Sequence, residues 1–165
     1  MCEITDLVGR LRECGAVLDT SGITVRTDRM FSYATKLTTV PYLDVRNGNY
    51  AAGQLNGMFE YCYKLKTIEG IQIADDGSTK LGSGIFTRCD SLENVTFFGT
   101  IGGQDHVVFS YSPLLTHDSI LGVLNALKDL TVEGTTQTLT LGATNLAKLT
   151  DGEKSIATEK GWTLA

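Results

Sequence analysis

The stretch Met58 to Ile71, with the sequence Met-Phe-Glu-Tyr-Cys-Tyr-Lys-Leu-Lys-Thr-Ile-Glu-Gly-Ile, has a pattern that recurs on both sides of it. In each copy a phenylalanine is followed by a small residue three positions later and by a leucine six positions later. The four copies are Phe31-Ala34-Leu37, Phe59-Cys62-Leu65, Phe86-Cys89-Leu92 and Phe109-Ser112-Leu115. Successive phenylalanines are separated by intervals within the roughly 20 to 29 residues of leucine-rich repeats. The chain is therefore predicted to contain an internal repeat.

The second half of each copy predicts a short strand with one buried side. A β-branched apolar residue follows the leucine three positions later, and a further apolar residue follows within three more. They are Val40 and Leu43, Ile68 and Ile71, and Val95 and Phe98. The first half, around Met58-Phe59, predicts a short helical turn that places the phenylalanine in the core. The predicted repeat core is Phe31, Leu37, Phe59, Cys62, Leu65, Phe86, Cys89, Leu92 and Phe109.

Two of the four cysteines, Cys62 and Cys89, occupy the slot that Ala34 and Ser112 fill in the other copies. A slot that accepts Ala, Cys or Ser calls for a small buried side chain, so both cysteines are interpreted as packed thiols. A disulfide or a metal pair between them is the less favoured alternative.

The two ends of the chain do not follow the repeat and predict caps, which a stack of repeats needs to cover its apolar ends. Residues 1–28 are predicted to form an N-terminal cap, with an amphipathic helix at 3–14 and a hairpin at 16–28. The repeats span 29–115, and the C-terminal cap spans 116–165. All three parts are predicted to form one domain.

The C-terminal cap predicts three helices and two strands. Thr116 or Asp118 is the expected N-cap of a helix that runs to about Leu130. The further predicted elements are a strand at Thr138–Leu141, a short helix at Thr144–Leu149, a helix that begins with a capping box at Thr150 and Glu153 and ends at Lys160, and a strand at Trp162–Leu164.

The net charge of −5 and the pI near 5.0 argue against a protein that binds the phosphate backbone of nucleic acids. No apolar run approaches the ~18 residues of a membrane span, and no secretory signal is visible. These features leave the cytoplasm of a host cell or a phage virion as the expected location, or the cell surface if the chain is a fragment.

The string Met58-Phe59-x-x-Cys62-x-x-Leu65-x-x-Ile68 resembles the BspA-like, Treponema-type leucine-rich repeats. Met30–Pro41 resembles the variant of gut Firmicutes and their phages, and the tail Leu139-Thr-Leu-Gly-Ala-Thr-Asn-Leu-Ala-Lys-Leu-Thr150 is similar to the end of the same proteins. The resemblance covers about residues 29–165 and implies a short solenoid with a parallel sheet on its concave face. It implies adhesion or recognition and no enzymatic activity. This chain departs from the family in its few repeats, in Ala34 and Ser112 at the cysteine slot, and in residues 1–28.

Residues that alternate with the buried positions of the strands are predicted to face the concave surface, which solenoids use to bind partners. They are Thr39, Pro41, Thr67, Glu69, Asn94 and Thr96. The surface is small and mostly uncharged, which favours a protein or glycan contact over a highly charged ligand. We expect a protein partner, with a glycan as the alternative. Five tyrosines in the repeats also suit such contacts, although packing at repeat junctions explains each of them as well: Tyr33, Tyr42, Tyr61, Tyr63 and Tyr111.

No spacing in the sequence predicts chemistry. His106 and His117 lack zinc-ligand spacing, and His117 is interpreted as an ordinary first-turn residue of a helix. Asp75-Asp-Gly-Ser-Thr79 lacks the ligand pattern of a calcium loop and predicts a turn. We therefore predict no catalytic residues, no metal site and no cofactor.

The sequence favours a non-enzymatic recognition module that binds a partner through the concave sheet and nearby loops. Two alternatives stay open. One is a structural component of a phage particle or a bacterial surface that self-associates through the edge strand Trp162–Leu164. The other is a phage-encoded inhibitor of a host protein.

Overall fold

The computed structural model describes residues 18–19, 28–46, 55–102 and 106–165. Within them the protein is a small α/β structure with two parallel sheets and three α-helices, which confirms the predicted class and the parallel pairing. The predicted N-terminal helix lies outside the described residues, as does most of the predicted hairpin. Leu18–Asp19 is described as a strand, and it pairs in parallel with Leu43–Asp44.

In each of the two sheets, the strands lie side by side in the order in which they occur along the chain. The strands are β1 Leu18–Asp19, β2 Thr39–Asp44, β3 Thr67–Gln72, β4 Asn94–Phe98, β5 Val107–Val108, β6 Gln137–Thr140 and β7 Trp162–Leu164. The α-helices are α1 His117–Ala126, α2 Ala143–Leu146 and α3 Asp151–Glu159, and a single 3₁₀ turn spans Thr131–Glu133. The first sheet has the order β1-β2-β3-β4 and the second has the order β5-β6-β7.

The first sheet places equivalent residues of the sequence pattern side by side. Thr39 pairs with Thr67 and Thr67 with Asn94. Val40, Ile68 and Val95 form the next row and turn into the core. The side chains of the first row therefore point away from the core, because neighbours along a strand alternate between its two faces.

The four phenylalanines of the pattern form a buried column behind this sheet. The rings of Phe31 and Phe59 are stacked at 5.4 Å, and those of Phe59 and Phe86 at 5.9 Å. Phe86 and Phe109 continue the column at 5.3 Å with a larger tilt. All nine residues expected in the repeat core are buried, Phe31 at 8% exposure and the others at 1% or less.

Cys62 and Cys89 are free, buried thiols that donate hydrogen bonds rather than pair with each other. Cys62 Sγ lies 3.1 Å from the carbonyl oxygen of Phe31, and Cys89 Sγ lies 3.0 Å from that of Phe59. Burial raises the pKa of the Cys62 thiol to about 11 and raises the pKa of the Cys89 thiol as well. Both groups are therefore protonated near neutral pH and are poor nucleophiles.

Phe98 does not occupy the core position that the sequence pattern assigns to it. Ile71 pairs with Phe97 and Gln72 pairs with Phe98, because β4 has one residue fewer than β3 between the two paired positions. Phe97 therefore packs edge-on against Phe86 and Phe109. Phe98 lies on the opposite face with 44% of its surface exposed.

Helix α1 ends at Ala126, four residues before the predicted end at about Leu130. Leu127 has extended backbone and forms a parallel bridge with Ile101. The Ile101 N–H donates to Ala126 O at 2.7 Å, and the Lys128 N–H donates to Ile101 O at 2.8 Å. This pairing with a distant segment overrides the helical periodicity of the apolar residues.

The C-terminal elements otherwise begin and end close to their predicted positions. Thr116 is the N-cap of α1, and its hydroxyl accepts from the Ser119 N–H. The capping box of α3 is formed in both directions between Thr150 and Glu153. The predicted last strand is β7, which pairs in parallel with β6.

Candidate binding surface

The face of the first sheet that points away from the core, here called the outer face, carries all six residues predicted to bind a partner. Glu69, Asn94 and Thr96 are exposed, and Thr39, Pro41 and Thr67 are partly exposed. Thr39, Thr67 and Asn94 share one row of the register, so the sheet brings residues of three strands together. The outer face is therefore continuous across β2, β3 and β4.

Two aromatic side chains of the outer face, in the C-terminal halves of their strands, cover a glycine of β3. Tyr42 of β2 and Phe98 of β4 have ring centroids 5.8 Å apart. A Cβ atom added at Gly70 of β3 would lie 2.6 Å from Phe98 Cε2 and 2.9 Å from Tyr42 Cδ2. The two rings can approach each other over β3 only because Gly70 has no side chain.

Gln72 orients the Tyr42 ring. Its Oε1 accepts a hydrogen bond from the Tyr42 hydroxyl at 3.0 Å. Its Nε2 donates to the carbonyl oxygens of Ile73 at 3.1 Å and of Phe98 at 3.2 Å. The side chain thus links the Tyr42 hydroxyl on β2 to the backbone of β4.

Polar side chains lie on one side of the aromatic pair, at the start of β3 and β4. Asn94 Oδ1 accepts from the Thr116 hydroxyl at 2.9 Å, and Lys66 Nζ lies 3.4 Å from Glu93 Oε1. Both interactions are exposed, and surface ion pairs of this kind contribute little to stability. Apolar side chains beside polar ones are common in protein interfaces.

Helix α1 covers the edge of β4. A partner can therefore reach β4 through the outer face but not by pairing along this part of its edge. The Thr116 N–H donates to Glu93 O at 2.8 Å, where the N–H of a further strand would otherwise bond. The Ser119 hydroxyl then satisfies both backbone groups of Val95. A partner strand therefore finds no free ladder at this position.

The sequence did not single out the aromatic pair as a unit. Tyr42 was one of five tyrosines in the repeats, and Phe98 was assigned to the core. Gly70 was the available signal, because an isolated glycine within a strand pattern often marks a close approach of other groups.

His117 has more partners than an ordinary first-turn residue. Its Nε2 lies 2.8 Å from Glu153 Oε1, and its Nδ1 lies 3.1 Å from Asp118 Oδ1. These two hydrogen bonds raise the pKa of His117, with the bond to Asp118 as the largest cause. The interaction connects the start of α1 to the first turn of α3.

An open cavity of about 490 Å³ lies between residues 76–80 and residues 128–137. Two charged residues of its lining form an ion pair, with Lys128 Nζ 2.7 Å from Glu133 Oε1. Asp76 accepts from the Ser78 N–H at 2.8 Å, and hydrogen bonds to Ser78 lower the pKa of its carboxyl.

The described residues contain no group of three or more His, Cys, Asp or Glu side chains that could hold a metal ion. In the part of the chain that the structure describes, no helix is long and apolar enough to span a membrane. Comparison with models of protein families, with curated proteins and with solved structures found no significant match.

Proposed function

We propose that this chain is a non-enzymatic recognition module that binds a protein partner through the outer face. The observation that carries the proposal is the pair of Tyr42 and Phe98 on an otherwise polar, accessible sheet surface. Binding energy in protein interfaces is concentrated in a few residues, often aromatic. The aromatic pair supplies residues of this kind on the outer face.

The proposal includes a fold assignment, a short leucine-rich-repeat solenoid of the BspA-like type. Its support is the recurrence of the same contacts at equivalent positions of the sequence pattern. Thr38 O accepts from the N–H of Lys66, Lys66 O from that of Glu93, and Glu93 O from that of Thr116. The column of phenylalanine rings and the two thiol bonds to phenylalanine carbonyls recur in the same way.

A protein partner suits the outer face better than a glycan. The Tyr42 hydroxyl already donates to Gln72 Oε1. Gln72 Nε2 already donates to two backbone carbonyl oxygens, those of Ile73 and Phe98. A sugar chain would need free polar groups beside the rings to bond its hydroxyls. An apolar side chain of a protein partner needs only the exposed ring of Phe98 and the exclusion of water.

A pair of matched double variants tests this proposal. Thr67→Arg with Glu69→Arg changes two outer-face residues, and Thr158→Arg with Glu159→Arg makes the same chemical change on exposed residues of α3. We expect the wild-type chain and the α3 variant to retain the same protein from a lysate of the source cells, and the outer-face variant to lose it. Titration of the purified partner then measures the affinities. Equal retention by all three chains would rule out the outer face as the binding surface.

One observation favours a second candidate, a structural protein that self-associates. β7 is an edge strand of the second sheet, and edge strands pair readily with other strands. This candidate predicts a mass that rises with concentration in light scattering and falls back when Leu164 is replaced by proline. The Ala165 N–H bonds to β6, so the Thr163 N–H two residues back does too, and the Leu164 N–H lies on the free edge of β7. A monomer mass at all concentrations would exclude self-association.

A further inference from the structure

A row of aromatic side chains lies outside the core on the turns that carry the phenylalanines. Tyr33 and Tyr61 stack with ring centroids 4.6 Å apart and an angle of 20°. Tyr63 follows at 6.0 Å from Tyr61, and the guanidinium of Arg88 lies 5.8 Å from the centre of the Tyr63 ring. These four side chains are called the tyrosine ridge. Tyr33 is 63% exposed and Tyr63 is 38% exposed, so the ridge offers open ring surface.

The backbone of the ridge is an unfavourable place for tyrosine. Tyr33, Tyr61 and Arg88 occupy the same position of the pattern and have φ angles of 61°, 61° and 59°. Glycine and asparagine adopt this left-handed conformation more readily than aromatic residues do. The backbone of these turns is bonded to the next turn: the Tyr33 N–H donates to Glu60 O at 2.8 Å and the Tyr61 N–H donates to Thr87 O at 2.7 Å. These two bonds do not depend on the side chain, so asparagine can replace tyrosine and keep them.

Two cations at the ridge, Arg29 and Arg88, have acidic partners. Arg29 Nε lies 3.7 Å from Glu60 Oε2, and Arg88 lies 3.4 Å from Asp90 Oδ2. A chain of phosphates or sulfates binds through cations that are free to replace its counterions. The pairing of these two cations therefore suits an uncharged ligand.

We propose that the tyrosine ridge binds a neutral carbohydrate chain. A sugar ring has an apolar C–H face that packs on an aromatic ring, and its hydroxyl groups extend from the edges of that face. Tyrosine offers an apolar ring face together with a polar tip, and the ridge repeats this combination along one line. This surface is separate from the outer face, so the proposal does not depend on the protein partner.

Electrophoresis of the 165-residue chain in native gels that contain a soluble neutral polysaccharide tests the proposal, with laminarin, xyloglucan and glucomannan as probes. The test variant is Tyr33→Asn with Tyr61→Asn, because asparagine suits the left-handed backbone and the variant should fold. The folding control is the thermal midpoint by circular dichroism. The binding control is the outer-face variant, Thr67→Arg with Glu69→Arg.

At least one of the three polysaccharides should retard the wild-type chain and the outer-face variant. The asparagine variant should keep its thermal midpoint and bind that polysaccharide about tenfold or more weakly, since two of the three tyrosine rings are lost. The proposal is overturned if none of the polysaccharides retards the chain, or if the folded asparagine variant is retarded as much as the wild type. Binding of a protein partner that is lost in the asparagine variant, without polysaccharide binding, also overturns it.

Discussion

The hydroxyl of Ser119 satisfies both backbone groups of Val95. Ser119 Oγ accepts from the Val95 N–H at 3.0 Å and donates to the Val95 carbonyl at 3.2 Å. Val95 belongs to β4, the strand at one edge of the first sheet, and Ser119 belongs to the first turn of α1. A helix thus takes the place of a further strand and ends the sheet without an exposed ladder.

Replacement of Ser119 by alanine should therefore destabilise the protein. Both backbone groups of Val95 would stay buried without a partner, which costs about 1–3 kcal/mol in the free energy of unfolding. Urea denaturation measures this loss. Ser155→Ala is the matched control, because the Ser155 hydroxyl is bonded only to the Gly152 carbonyl of its own helix and that bond is exposed. Equal effects of the two substitutions would contradict the capping role of Ser119.

Replacement of Ser112 by cysteine should stabilise the protein. Its hydroxyl is buried and finds no hydrogen-bond partner among the described residues. The two cysteines at equivalent positions reach the carbonyl of the preceding phenylalanine, and a longer C–S bond would bring a sulfur at position 112 toward Phe86 O. We expect Ser112→Cys to raise the free energy of unfolding by about 0.5–1.5 kcal/mol.

The reverse change, Cys89→Ser, is the control for Ser112→Cys and should lower the free energy of unfolding. The shorter side chain would lose contact with Phe59 O and leave a buried hydroxyl, which costs about 1–3 kcal/mol. If Cys89→Ser has no effect, the thiol bonds do not contribute as described.

The contact between His117 and Glu153 should make stability depend on pH. The pKa of His117 is higher in the folded chain than in the unfolded chain. Its contribution to stability is therefore fully present below its unfolded pKa and is lost as pH rises through its folded pKa. Hydrogen bonds from the backbone and hydroxyl of Thr150, and then the bond to His117, lower the pKa of Glu153. The contribution of Glu153 is therefore lost as pH falls through its own folded pKa.

An NMR titration of His117 measures this coupling. Glu153→Gln should lower the pKa of His117, while the glutamine still serves the capping box with Thr150. The difference in unfolding free energy between the wild type and His117→Gln should be largest between the two folded pKa values and should shrink above that of His117. A His117 titration that is the same in wild type and Glu153→Gln would show that the contact is absent in solution.

Gly70 should matter for binding more than for stability. An alanine there would push against Phe98 and Tyr42, which lie on an accessible face and can move outward. We expect Gly70→Ala to change the free energy of unfolding by less than about 1 kcal/mol. Displacement of the aromatic pair should weaken binding of the protein partner by about tenfold or more, measured by calorimetry. Unchanged affinity would show that Tyr42 and Phe98 pack over Gly70 without contributing to binding of the partner.

The parts of the fold that the sequence predicted well depend on local patterns. The slots of Phe59, Cys62 and Leu65 are set by their spacing, and the capping box of Thr150 and Glu153 is set by four consecutive residues. Such signals need no knowledge of distant contacts. The predicted positions of the outer-face residues also followed from alternation along each strand.

The parts that it did not predict depend on contacts between distant segments. Phe97 and Phe98 are chemically identical, and only the register of β4 on β3 decides which of them packs against the core. The end of α1 is decided by Ile101, and the role of His117 is decided by Glu153. Periodicity within one element contains none of this information.

Photo-crosslinking from the outer face tests the proposed recognition function most directly. p-Benzoylphenylalanine in place of Thr96 would project from the exposed outer face, and the same residue in place of Thr158 would project from α3 as the control. After irradiation with the partner that the wild-type chain retains, we expect a covalent adduct from position 96 and none from position 158. An adduct from position 158 alone, or from neither position while the partner is bound, would contradict binding through the outer face.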